Sequence, residues 1–165
     1  MLVAAEILRT YVNPRQAIRN KLGDGTGEGQ ALAYLLAACL MHFCSRLPQL
    51  SRESANNTED LSFPALASGQ FIGAVLVAPL AFYALAAASR LIGRAFGGRS
   101  NWRNSRIALF WSLLSAAPLG LVAGAASMLL PLEFAPIVMN VLSWVAAGAF
   151  ALIWAIGILE AENPP

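Results

Sequence analysis

Charge is what this sequence has least of. Charged residues make up 12% of the 165 residues and hydrophobic residues 58%, against about 25% and 45–50% in an average soluble domain. A soluble fold so short of charge would expose large apolar patches and aggregate. Lipid is therefore read as the solvent for most of the surface, in keeping with a mean hydropathy of +0.60. Histidine occurs once, at His42, and cysteine twice, at Cys39 and Cys44. A metal centre needs several His, Cys, Asp or Glu ligands, so no metal and no other cofactor is expected. Five positions apart on one helix, the two cysteines point in different directions; inert thiols are expected rather than a disulfide. No apolar stretch ending in a small-residue cleavage site follows the N-terminus, and Glu6 comes early, so no secretory signal is expected.

Catalytic patterns are missing as well. No carboxylate pair or nucleophile–base pair is visible, so an enzyme is not expected. The glycine-rich stretch Gly23–Gly29 lacks the preceding strand and the following Gly-Lys-Ser/Thr of a phosphate loop, and carries two acids. It reads as a flexible linker. Nothing points to a nucleic-acid partner.

What the chain does have is four long apolar runs, at about 31–47, 63–89, 107–130 and 136–159. A bilayer core takes about 20 apolar residues as helix, whereas soluble core helices stop at about 10–14. The runs are continuous rather than alternating, which selects helices over a barrel. The expected fold is all-α, a membrane bundle of four spans (31–160) preceded by an amphipathic segment and linker (1–30) and followed by a short tail (161–165). Spans two to four contain no charge, which argues against an ion-coupled transporter. Pro79 and Pro118 fall inside spans two and three and should kink them.

The connections set the orientation. Arg9, Arg15, Arg19 and Lys21 precede span one, and Arg90, Arg94, Arg99, Arg103 and Arg106 lie between spans two and three. The other two connections hold Arg46 and Arg52 among three acids, and Glu133 alone. Basic loops stay in the cytoplasm, so both termini and the 90–106 connection are expected there. Residues 1–22 alternate apolar and basic positions, with Val3, Ile7, Leu8, Tyr11, Ile18 and Leu22 apolar. Asn13-Pro14 divides them into two pieces, Asn13 capping a second helix with Pro14 at its first position. Two placements are open, on the cytoplasmic leaflet or packed on the cytoplasmic ends of the bundle. Ser51–Ser62 reads as a polar outer loop, with Asn56-Asn57-Thr58 matching a glycosylation acceptor pattern.

Three further features bear on function. Gly69/Gly73 and Gly120/Gly124 form GxxxG pairs that let helices approach closely; packing between the chain's own helices is expected. The basic cluster Arg90, Arg94, Arg99, Arg103 and Arg106, with Trp102 as an interfacial anchor, is a candidate contact for anionic lipid headgroups or a protein partner, beside its simpler role as a topology marker. His42 is expected to be hydrogen-bonded to a neighbouring helix.

The run Ser89-Arg90-Leu91-Ile92-Gly93-Arg94-Ala95-Phe96-Gly97-Gly98-Arg99, a polar stretch and then Ile107-Ala108-Leu109-Phe110-Trp111 resemble bacterial members of the Yip1 family. The opening with Asn13-Pro14-Arg15-Gln16-Ala17 is similar too. The resemblance implies an all-α multi-pass protein with no catalytic residues to carry over, in an inner membrane. The family commonly has five spans, and four are read here before Glu160-Ala161-Glu162-Asn163-Pro164-Pro165. The expected function is a non-enzymatic membrane scaffold or organiser, acting through helix packing and the basic face on lipids and other membrane helices. Those helices would belong to further copies or a larger complex. The alternatives are an accessory subunit of a respiratory or photosynthetic complex, and a small channel or transporter for an uncharged solute.

Overall fold

The computed structural model describes residues 3–23, 25–56, 62–95, 97–98, 100–131 and 133–162, and all the regular structure in them is helical. In hydrocarbon every backbone N–H and C=O must be satisfied within the segment, which a helix does alone. The elements are α1 (Val3–Val12), α2 (Pro14–Gly23), α3 (Glu28–Asn56), α4 (Phe63–Ile72), a π-helical turn (Gly73–Val77), α5 (Ala78–Ala95), α6 (Trp102–Leu129) and α7 (Ala135–Glu162). Among the described residues, four continuous helices are long and apolar enough to cross a membrane: α3, α4 through α5, α6 and α7.

Their ends run past the apolar runs. A 28-residue helix is about 42 Å long, against about 30 Å of hydrocarbon, so the terminal turns carry Glu28, Arg94, Arg103 and Glu160 beyond the apolar belt. The first span in particular continues through Pro48 to Asn56. Residues 51–56 of the expected outer loop are therefore helical, while Asn57 and Thr58 lie outside the described residues. Near Pro79 the chain does not simply kink. Proline has no N–H for an i−4 bond, and the helix takes in a wider turn just before it, where Ala78 N donates to Gly73 O.

Helix α6 is the hub. Its most apolar stretch is 61% buried, against 11% for α7 and 17% for α4–α5. Leu109, Phe110 and Trp111 are fully enclosed, and α3 and α7 pack along α6 on either side. Small residues make this approach close. A Cβ on Gly124 would overlap the Ser45 carbonyl of α3, and one on Gly157 would stand 3.0 Å from Ala108 Cβ. Gly120 is looser: its Cβ would sit 3.8 Å from Ser45 Oγ. At Gly69 and Gly73 a Cβ would meet nothing within 4 Å, so that pair makes no close approach to another helix of the chain. The first pair lies on the central helix and the second on a peripheral one.

Candidate functional site: the basic end of the bundle

Residues from six elements converge at one end, where α1 and α2 form a helical hairpin against α6 and α7. The hairpin turns at Asn13, whose carbonyl accepts from Ala17 N at 3.1 Å to start α2. Of the two placements open for residues 1–22, the structure packs the hairpin on the bundle. Its outer face keeps Leu8 at 68% and Val12 at 82% exposure, apolar groups suited to the lipid interface.

The hairpin is tied to α6 by polar contacts. Trp111 Nε1 donates to Thr10 Oγ1 at 3.1 Å, and Tyr11 Oη to the Ser115 carbonyl at 2.5 Å. Lys21 is 8% exposed. Its Nζ lies 2.5 Å from Glu6 Oε2, 3.3 Å from Tyr34 Oη and 4.7 Å from the centre of the Trp111 ring. A buried ammonium needs such compensation, here a carboxylate, a phenol and an aromatic face. Burial works to lower the Lys21 pKa, but the bonds to Glu6 and Tyr34 outweigh it and hold the pKa above the ordinary lysine value. Burial pushes the Tyr11 phenol up as well. Glu6, Lys21 and Trp111, with Arg9, Asn13 and Gln16, line a cleft of about 410 Å³ between the two hairpin helices.

Residues 25–28 of the stretch read as a linker make contacts with both α2 and α6. Gly25 takes a left-handed conformation at φ +65°. Thr26, buried, donates from Oγ1 to the Lys21 carbonyl at 2.8 Å, and its own carbonyl receives Nε and Nη2 of Arg103. Arg106 Nη2 meets Glu28 Oε1 at 2.6 Å. The C-terminal turn of α7 joins in through two acids. Glu160, 6% exposed, pairs with Arg19 at 2.5 Å. Glu162 accepts from Ser100 N at 3.1 Å. The Gly97-Gly98 turn makes room for it: Gly97 N bonds Arg94 O and Gly98 N bonds Gly93 O, the double bond of a left-handed helix cap. A Cβ on Gly98 would lie 2.6 Å from the Glu162 carboxylate.

The candidate arginines thus divide. Arg103 and Arg106 tie helices together, and Arg94 is exposed. Arg90 is half-buried, with Nε and Nη1 enclosed and without a hydrogen-bond partner. Arg99 lies outside the described residues. Trp102 is 45% exposed at the start of α6. Sequence reasoning missed Glu6, Thr10, Glu160 and Glu162 as functional partners. Glu6 and Lys21 stand 15 positions apart across a helix break, and Glu160 pairs with an arginine 141 positions away. Local spacing carries no signal for pairs so far apart in the chain.

Among the described residues, four membrane-length helices, three of them packed about the central α6, define a polytopic α-helical membrane protein. Within that class the assignment is specific. The model of the Yip1 domain matches residues 8–163, and the chain belongs to the Yip1 family. No curated protein and no solved structure matches it.

Proposed function

We propose that this protein is a non-enzymatic membrane organiser, which holds anionic lipid headgroups at its basic end and partner helices along its outer spans. The observation that carries this reading is the division of labour among the charges. Arg103, Arg106, Lys21 and Arg19 are each engaged by a partner inside the chain, which fixes a rigid end, while Arg94 and Trp102 remain exposed on the same rim. An exposed arginine and an exposed tryptophan at one end of the bundle suit a phosphate headgroup. The excess of basic residues at this end supports a cytoplasmic orientation for it and for both termini.

Binding to vesicles is the test. The chain in nanodiscs of phosphatidylcholine containing phosphatidylglycerol should retain phosphatidylglycerol through delipidation, and Arg94→Gln should reduce the retained amount several-fold. Equal retention by the variant would remove the lipid part of this reading. Gentle extraction at natural abundance addresses partners: migration within a large assembly at fixed stoichiometry would turn the organiser into a subunit of that assembly.

A further inference from the structure

A second cavity lies within the spans themselves. It is a half-open cleft of about 400 Å³ between α3, the π-turn and α5, α6 and α7, inside the 300–1,000 Å³ range of small-molecule sites. Helix interiors ordinarily leave no void larger than a water molecule. Seven alanines line this one, among them Ala74, Ala78 and Ala117, with Phe82 and Phe150 as its bulky walls. Water gains nothing there, because an apolar cavity stays dry.

Two independent features point into it. The first is His42, the sole imidazole of the chain, which forms part of the wall. It sits about 21 Å along α3 from Glu28 at 1.5 Å per residue, well inside the apolar belt. Contrary to the sequence expectation, its ring makes no hydrogen bond among the described residues; the residue is exposed at the cavity wall, and beyond the helix's own bonds its backbone carbonyl accepts from Ser45 Oγ. An imidazole carries a donor and an acceptor, and an ionisable group left unsatisfied at membrane depth is costly and marks a site. The second is the π-turn Gly73–Val77. Its wider turn carries Ala74, and the residue that follows it, Ala78, also lines the cavity; such turns recur at functional sites.

We propose that this cavity binds a neutral membrane lipid, its acyl or isoprenoid chain among the alanines and a carbonyl or hydroxyl oxygen hydrogen-bonded to His42. The occupant is neutral because no charged residue lines the cavity. Arg46, one turn further along α3, already bonds Gln49 Oε1 at 2.6 Å. The occupant is a lipid because the cavity lies at membrane depth, where the bilayer supplies long apolar chains at high concentration. This proposal is independent of the lipid contact at Arg94, which lies on the basic rim and takes the opposite headgroup chemistry.

The test is photolabelling of the full chain in phosphatidylcholine nanodiscs with a diazirine-bearing diacylglycerol, against a phosphatidylglycerol with the same diazirine chain. Labelled peptides are mapped by mass spectrometry. The diacylglycerol should label Leu113, Ala116 or Phe150 at least threefold more than the phosphatidylglycerol does. Ala117→Leu, which fills the lumen, should reduce that label about tenfold, and His42→Ala about three- to tenfold for one lost hydrogen bond. Arg94→Gln should leave it unchanged. His42 holds nothing else in the chain through its ring, so its variant keeps the test valid should Ala117→Leu fold poorly. Equal labelling by both probes, or a cavity label unmoved by His42→Ala, overturns the proposal.

Discussion

Helices α6 and α4 carry glycines at the same spacing and live in opposite surroundings. On α6, Gly124 lies so close to α3 that even a methyl would overlap the Ser45 backbone; Gly69 on α4 and Gly73, at the start of the π-turn that continues it, face open space. A GxxxG pair therefore permits close approach without causing it. What decides is position in the bundle: α6 is covered by α3, α7 and the N-terminal hairpin, whereas α4 is peripheral. If this contrast is sound, changes touching α6 should be costly and equivalent changes on α4 cheap.

The most severe change should be Lys21→Met, which strips the hairpin of its buried cation over Trp111 and leaves the Glu6 carboxylate uncompensated. Breaking a buried pair on one side costs several kcal/mol; with Glu6 partly exposed, a loss of about 2–3 kcal/mol is expected, read as a lowered melting temperature in detergent. The double variant Glu6→Gln/Lys21→Met should recover part of the loss. A single variant as stable as the parent would break the picture of a hairpin fastened to α6.

The same contact predicts a pH dependence. Lys21 has a folded-state pKa above its unfolded value, and so does Tyr11. Both groups hold their protons more tightly in the fold, so their contribution is fully present below the ordinary values and is lost as pH rises through the raised ones. The hairpin should stay docked across neutral and mildly alkaline pH and loosen above about pH 10.5, the ordinary lysine value, where Trp111 fluorescence should report the change. Loosening already between pH 7 and 9 would contradict the assigned contacts.

Next in size comes Gly124→Ala. The new methyl must displace α3 backbone rather than a side chain, and overpacking of this kind costs about 1–3 kcal/mol. Gly120→Ala should cost much less, since its Cβ would meet Ser45 Oγ at an ordinary 3.8 Å. A thermal series of both variants orders the two positions along one helix. Smaller again is Arg106→Gln: its partner Glu28 is half-exposed, and such pairs contribute about 0.2–1 kcal/mol.

The contrast also marks what the chain shows before it folds. The four spans were legible because lipid-facing helices have little charge to interrupt them, and the two N-terminal helices because Asn13-Pro14 interrupts an amphipathic pattern; their folding back as a hairpin was not. The helices outrun the apolar runs, since Glu28, Arg103 and Glu160 sit on helical turns beyond the apolar belt and their compensation comes from other segments. The roles of Arg103 and Thr26, 77 positions apart, depend on tertiary placement that local spacing does not encode. The linker illustrates this: its glycines read as freedom, yet Thr26 between them is buried and held by three hydrogen bonds. No local pattern separated the two glycine pairs, because the motif is identical and the neighbour is not.

The smallest expected effect falls on α4, and there the direction matters more than the size. Gly69→Ala adds a methyl where nothing stands within 4 Å and replaces the poorer helix former with the better one. The chain in detergent should be unchanged or up to about 1 kcal/mol more stable. A bulkier Gly69→Leu should likewise leave the isolated chain folded, while blocking any helix that approaches the backbone at this face. If the proposed organiser holds a partner there, the leucine variant should migrate natively as a smaller species than the parent when both are extracted gently from their own membrane. Unchanged stability with unchanged native size would leave α4 facing lipid alone and confine partner contacts to α7 and the basic end. A clear loss of stability in the isolated chain would instead mean that α4 packs as tightly as α6, and the contrast between the two helices would fail.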